Sequence, residues 1–242
     1  MAHVNPKICA VIPAFNEEDA IGLVLDDLAA NCPGVTAIVV DDHSTDATAE
    51  RAHRPGTVLL SLPINLGIGG AVQTGLKYAF DHGFDIAVQV DGDGQHPADQ
   101  IGSLVEPIRD GRADVVIGSR FLEAQGYRIR RGRRAGISVL RTVVSSLARV
   151  TVTDTTSGFR AYSRRAVSFL AEYYPQDYPE PEAIVELARN GLHITEISVR
   201  MNLRKGGQSS IGARDSVYYM VKVILSAALA ATRAPVVGRK DE

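Results

Sequence analysis

The residues best suited to chemistry lie in AVQVDGDGQHPADQ (87–100), where an apolar run ends on Asp91-Gly92-Asp93, followed by Gly94, Gln95 and His96. Two Asp at i and i+2 of an extended strand face opposite sides. A glycine-containing turn bends the chain so that both carboxylates can reach one ion. Hard oxygen ligands with room for phosphates suit Mg²⁺ or Mn²⁺, and Gln95 could add a carbonyl oxygen. The competing reading is an Asp-Gly turn capping a helix that begins near Pro97. Asp-x-Asp alone does not decide between the two.

Five short apolar runs bounded by Gly, Pro or Asp supply the frame: KICAVIP (7–13), VTAIVVDD (35–42), TVLLSLP (57–63), DIAVQVDGD (85–93) and ADVVIGSR (113–120). Runs of this kind are expected to form buried strands. Helix-like segments at 17–31, 45–53, 67–82 and 97–110 separate them. The alternation predicts an α/β domain with a mostly parallel central sheet flanked by helices. Ligands of such sheets sit at the carboxyl ends of the strands. Those ends carry Asn16/Glu17, Asp41/Asp42, Asn65, Asp91/Asp93 and Ser119/Arg120. Converging carboxylates repel one another unless a cation or hydrogen-bonding ligand sits between them.

The whole chain narrows the classes. With 242 residues and 45% apolar residues it can bury a sizeable core, and a net charge of -2 with a pI near 6.3 argues against nucleic acid as a partner. Cys9 and Cys32 have no metal-like spacing, and Cys9 lies in an apolar run as a small core residue would. The N-terminal stretch lacks a basic segment followed by a long apolar one, so a cytoplasmic, reducing setting is expected. NLGIGGAVQTG (65–75) lacks the GK[ST] of a phosphate loop and predicts a tight strand-to-helix turn capped by Asn65. His96 is expected as a loop hydrogen-bonding residue, and His43, His53 and His82 as surface residues.

The ordered set VIPAFNEE (11–18), VVDDHSTDAT (39–48), NLGIGGAVQTG (65–75), VDGDGQ (90–95), GSRF (118–121), DTTSGFRAYSRRA (154–166) and RKGGQSSI (204–211) resembles glycosyltransferase family 2, and within it the dolichyl- or polyprenyl-phosphate mannose and glucose synthases. The likeness runs over roughly residues 7 to 212. It implies the GT-A nucleotide-sugar-binding fold, an Asp-x-Asp metal site and inversion at the anomeric carbon. Carried over residue by residue, it implies that Pro13, Phe15 and Glu17 surround the nucleotide base. Asp42 would contact the base, with Val40 beside it. Asp91, Gly92 and Asp93 would meet the donor pyrophosphate, with Asp91, Asp93 and Gln95 holding the Mg²⁺ or Mn²⁺, and Arg204 would contact the donor phosphates. A carboxylate accepting from a ring N–H suits uracil or guanine equally, so a UDP- or GDP-sugar is expected.

On the acceptor side the resemblance implies Arg120, Arg133 or Arg134, and Ser138 as holders of a polyprenyl phosphate. A bidentate arginine suits a phosphate; the competing reading of RIRRGRRAGIS (128–138) is a solvated basic loop. Five arginines between 128 and 134 also suit an anionic membrane surface. A phosphate monoester needs no strong base. Asp154 is the candidate base if the acceptor is a hydroxyl, and it could instead cap the chain before Arg160. Asp93, Asp154 and Arg120 therefore form the candidate catalytic set. Two departures favour a soluble hydroxyl acceptor. Ser210 stands where some relatives carry lysine, and YPEPEAIVELARNG (178–191) is acidic, so that Glu180 and Glu182 could meet acceptor hydroxyls.

The expected organisation is a catalytic domain over 1–212, a C-terminal hydrophobic helix over 213–235 and a tail over 236–242. From Val217 to Ala231 the helix is apolar except around Lys222. That stretch is short of the roughly 20 residues that span a bilayer. It could lie in the membrane interface, pack on the domain or form a homodimer. A nucleotide-sugar-binding module without turnover is the third reading. Against it stands the leaving-group clamp of Asp91, Asp93, Gln95 and Arg204.

Overall fold

The computed structural model describes residues 5–122, 131–175, 179–202 and 216–233, and the side chains of 131–135 and 216–221 fall outside that description. Among the described residues seven strands form one sheet: β1 (Ile8–Ala14), β2 (Val35–Asp41), β3 (Thr57–Ser61), β4 (Ile86–Gln89), β5 (Val115–Ser119), β6 (Arg160–Ser163) and β7 (Ile194–Ser198). Their spatial order is β3-β2-β1-β4-β6-β5-β7. All pairings are parallel except those of β6, which runs antiparallel to both β4 and β5. The carboxyl ends of the other six strands therefore share one edge, and the amino end of β6 enters at that edge.

The five apolar runs form β1 to β5, and every residue of β1 is buried because helices cover both faces. One face packs Ile8, Ala10 and Ile12 against Ile21 and Val24 of α1 (Glu18–Asn31) and Leu104 of α4 (Ile101–Arg109). The other packs Cys9, Val11, Ile38 and Val40 against Leu76 of α3 (Gly67–Asp81). There a Cβ on Gly75 would lie 2.3 Å from Val11 Cγ1, so α3 approaches the sheet closely only with glycine at this position. Burial pushes the Cys9 thiol up to about 12, which marks it as an inert core residue. The short α2 (Thr48–Ala52) follows β2.

Beyond residue 120 the elements escape a reading of periodicity. α5 (Arg131–Ala148), α6 (Arg164–Glu172), α7 (Pro179–Arg189) and α8 (Ser216–Thr232) join α3 on one side of the sheet, while β6 and β7 extend the sheet beyond β4. The basic segment thus enters α5 from Arg131 onward rather than remaining a loop. Val223, Ala227 and Ala230 of α8 are buried in the same core, whereas Leu225 and Leu229 are exposed. Glu182 of α7 accepts from Ser226 Oγ, and Arg233, just beyond α8, pairs with both Glu182 and Glu186. No described helix is long and apolar enough to cross a membrane.

Candidate active site

The loop after β1 is fastened to the loop after β2. Asn16 N–H donates to Ser44 Oγ at 3.0 Å, Asn16 Oδ1 accepts from Thr45 N–H at 2.9 Å, and Glu17 N–H donates to Thr48 Oγ1 at 2.8 Å. Asn16 and His43 take left-handed φ angles of 54° and 63° to make this turn. The result leaves Pro13 and Glu17 buried and turns the Phe15 ring outward, 47% exposed, as a flat apolar surface at the rim. Val40 is fully buried in the core against α3, so its side chain does not stand at that rim.

Asp42 ties the loop after β2 to the start of α3. Its two oxygens accept from Leu66 N–H at 2.7 Å and Gly67 N–H at 2.8 Å, satisfying donors at the start of α3. Asn65 shares the duty, with Oδ1 accepting from Gly67 N–H at 3.1 Å. Asp42 is 3% exposed and acts on the pocket wall. Its neighbour Asp41 uses Oδ1 to accept from Ser44 N–H at 3.2 Å.

The Asp-x-Asp turn follows β4 and lies beside the end of β1, where strand order reverses and ligands of such sheets bind. Gly92 makes the approach possible, since a Cβ there would meet the Pro13 carbonyl oxygen at 3.1 Å. Asp93 is buried, and its Oδ1 accepts from Gln95 N–H at 3.0 Å. It does not cap the following helix, because Ala98 N–H donates instead to Asp27 Oδ2 of α1 at 2.9 Å. Asp91 keeps 35% of its side chain exposed toward the cleft. Under it His96 is buried, stacked on Phe159 with ring centroids 4.7 Å apart. Burial pulls the His96 ring down to about 3, so it is neutral, a hydrogen-bonding loop residue as expected. Two carboxylates one residue apart on such a turn suit a hard divalent cation that also takes phosphate oxygens. Among the described residues no group of three or more His, Cys, Asp or Glu could hold a metal ion alone.

DTTSGFR supplies the floor. Gly158 lies against Asp91, where a Cβ would sit 3.2 Å from Asp91 Oδ1 and 3.3 Å from Gln89 Nε2. Phe159 carries His96. Arg160 is 1% exposed and donates to the carbonyls of Ser157, Thr155 and Glu180 at 2.7, 3.3 and 2.9 Å, which binds this loop to α7. Beside it, Gln89 Oε1 accepts from the hydroxyls of Tyr162 and Tyr174. Burial pushes the Glu180 carboxyl above its usual range, Arg160 pulls it back, and Asp91 raises it further. Glu180 thus feels the charge of Asp91, whereas Glu182 faces α8, where it accepts from Ser226 Oγ. Neither the Phe159–His96 stack nor Gly158 was marked by spacing, because both depend on β6 pairing with β4.

At the end of β5 Arg120 and Asp154 form a closed pair. Arg120 Nε donates to Asp154 Oδ2 at 2.6 Å and Nη2 to Oδ1 at 2.7 Å, and Arg120 N–H reaches Oδ2 at 3.1 Å. Thr156 Oγ1 accepts from Arg120 Nη2 at 2.9 Å. Asp154 is fully buried and Arg120 keeps 20% of its side chain exposed. Both oxygens of Asp154 are thus engaged with Arg120, and a carboxylate in that geometry fixes the plane of the guanidinium.

Arg204 and the side chains of Arg133 and Arg134 lie outside the described residues. Ser138 is exposed on α5. Asn202 N–H donates to the Gln95 carbonyl at 2.9 Å, so the segment after β7 runs beside the Asp-x-Asp turn.

The chain is similar to known proteins in sequence and in fold. A family model described as Glycosyl transferase family 2 matches residues 9–170. A UDP-N-acetylglucosamine–dolichyl-phosphate N-acetylglucosaminyltransferase of Methanococcus voltae is 32% identical over 213 residues, covering 80% of this chain and 84% of that protein. An undecaprenyl-phosphate mannosyltransferase of Micrococcus luteus is 28% identical over 221 residues, covering 85% and 87%. Glucosyl-3-phosphoglycerate synthase from Mycobacterium tuberculosis, solved with Mn²⁺, UDP and glucosyl-3-phosphoglycerate, superposes with a TM-score of 0.68 at 24% identity, covering 94% of this chain and 80% of that one.

Proposed function

The chain belongs to glycosyltransferase family 2, and on that footing we propose that it moves a hexose-type sugar from a UDP- or GDP-sugar to a polyprenyl phosphate, with inversion and with Mg²⁺ or Mn²⁺. The observation that carries this reading is the contact of Gly92 with the Pro13 carbonyl. It brings the Asp91–Asp93 turn against the end of β1, just before Phe15 in the chain, which supports adjoining places for diphosphate and base. The M. tuberculosis structure with UDP and Mn²⁺ and the two relatives named for lipid-phosphate acceptors support the same assignment.

In this reading Phe15 stacks on the base, and Asp42 serves it by fixing Asn65–Gly67. Asp91 and Asp93 hold the cation, with Gln95 beside them. When bound, the ion neutralises charge on the departing diphosphate. Arg120, aimed by Asp154, holds the acceptor phosphate, helped by Arg133 or Arg134 and Ser138, and Arg204 meets the donor phosphates. The acceptor phosphate oxygen attacks the anomeric carbon as the bond to the nucleoside diphosphate breaks. That oxygen is already anionic, so no proton has to be removed and Asp154 stays paired. The catalytic unit covers 1–212. α8 lies at a cytoplasmic membrane face, presenting Leu225 and Leu229 between Lys222 and Arg233.

A second reading, transfer to a hydroxyl of a soluble acceptor, is favoured by Glu180, a carboxyl whose proton affinity is raised by burial and further by Asp91, against the pull of Arg160. The first experiment is a thermal-shift panel of UDP, GDP and dTDP with Mn²⁺, Mg²⁺ or EDTA on the wild type and Asp93→Ala. Stabilisation by one nucleotide, only with metal and only in wild type, is expected. At 100 times the dissociation constant it amounts to about 2.7 kcal/mol. A shift indifferent to metal and to the substitution defeats the donor assignment. Transfer assays with a short polyprenyl phosphate and with soluble sugars then separate the two acceptors.

A further inference from the structure

Glu196 belongs to none of the motifs above, yet it holds the backbone that carries Asp154. It stands on the edge strand β7, on the same face as Ile194, opposite the loop between α5 and β6. Glu196 Oε2 accepts from Thr153 N–H at 2.7 Å and from Thr153 Oγ1 at 2.8 Å, and Oε1 accepts from Asp154 N–H at 2.9 Å. Thr153 Oγ1 also lies 2.7 Å from Ser119 Oγ, which accepts from Phe121 N–H at 3.1 Å. A carboxylate only accepts, and each hydroxyl has one proton to give. The Thr153 proton therefore goes to Glu196, and the Ser119 proton to Thr153. The chain of donors runs from Ser119 through Thr153 and ends on Glu196, linking the end of β5, the loop and β7 on both sides of the Arg120–Asp154 pair.

We infer that Glu196 is a positioning residue for acceptor binding: its carboxylate fixes Thr153 and Asp154, and through Asp154 it sets the angle at which Arg120 meets the acceptor phosphate. The inference rests on the reading of Arg120 as the phosphate holder. A carboxylate is required here because three donors converge on it. Glu196→Gln replaces one acceptor oxygen by an NH₂ that faces N–H or O–H groups. Glu196→Asp keeps the charge on a shorter arm.

The test uses the full chain in three measurements. Transfer to a short polyprenyl phosphate gives kcat and both KM values. Nucleotide with Mn²⁺ gives the donor thermal shift. The rate of phenylglyoxal modification at Arg120, mapped by mass spectrometry, reports the Arg120–Asp154 pair whatever the acceptor is. For Glu196→Gln the acceptor KM rises about tenfold, equivalent to about 1.4 kcal/mol, while the donor KM and thermal shift stay at wild-type values. Arg120 is modified several-fold faster, and Glu196→Asp recovers part of both effects. A fall in kcat with both KM values unchanged would mean loss of folded protein and would overturn the proposal. So would an Arg120 modification rate equal to wild type. If wild type transfers to no lipid phosphate, the acceptor assignment fails, and the Arg120 modification rate alone decides whether Glu196 orients this pair.

Discussion

His96 Nδ1 accepts the backbone N–H of Asp91 at 2.9 Å, and His96 Nε2 lies 3.5 Å from Asp91 Oδ2. The first contact assigns the ring proton to Nε2, where it faces the carboxylate. One buried imidazole thus orients both the backbone and the side chain of the more exposed Asp of the pair.

Because His96 is neutral when folded, it links stability to pH. Its folded value lies near 3 against 6.5 unfolded. The unfolded chain therefore binds the extra proton between those limits, and stability is lost as pH falls below about 6.5 toward 3. The slope reaches about 1.4 kcal/mol per pH unit. Urea unfolding at pH 5.5 and 4.5 is expected to show wild type losing about 1 kcal/mol more than His96→Gln over that interval. Equal losses would contradict a buried neutral ring.

The two glycines that touch the Asp-x-Asp turn predict a selective defect. A Cβ at position 92 meets the Pro13 carbonyl, and one at 158 meets Asp91 and Gln89. Gly92→Ala and Gly158→Ala are each expected to weaken metal-dependent nucleotide stabilisation at least tenfold in affinity. Without nucleotide the loss of stability is about 1–3 kcal/mol, the usual range for overpacking. Isothermal titration with nucleotide and Mn²⁺, beside a denaturant melt, reads both.

Breaking the buried pair beside it should be costly. Asp154→Leu or Arg120→Met alone leaves one charge uncompensated and is expected to destabilise by about 3–5 kcal/mol. The double variant is expected to recover at least half of the summed loss. A double-mutant cycle by chemical denaturation measures the coupling, and strict additivity would show that the pair is not closed in solution.

Phe15 predicts the opposite pattern, affinity without stability. The exposed ring contributes little to the core, so Phe15→Ala should leave the melt nearly unchanged. Loss of stacking on a base is worth about 1–3 kcal/mol, a nucleotide affinity weaker by about 5- to 150-fold. Phe15→Tyr keeps the face and is expected to bind as wild type does. Nucleotide titrations of the three proteins make the comparison.

The sequence shows the first half of this molecule well. β1 to β5 are apolar runs with turn residues at both ends, and the polar ends of those strands do share one edge of the sheet. It shows the second half poorly. β6 has four residues and begins with a charged Arg160, so nothing in its pattern announces a buried strand. Its partners lie between 43 residues (Ile117 to Arg160) and 77 residues (Ile86 to Ser163) earlier in the chain, a separation that local periodicity cannot register. Side-chain duties were hidden for the same reason. Asp42 meets donors 24 and 25 residues away, and Glu182 meets Ser226 at a separation of 44. Glu196 had no motif, and only a three-dimensional view puts it under Asp154.

The antiparallel strand β6 also joins parts of the chain that are far apart in sequence. It lies between β4 and β5, so residues 160–163 must insert between two strands that do not pair with each other. That insertion is a long-range event, which topology makes slow. The same pairing sets Gly158 against Asp91 and Phe159 against His96. A chain in which β6 had not docked would lack the floor under Asp91 and His96, so refolding followed by nucleotide titration is expected to gain its signal only when that strand is in place.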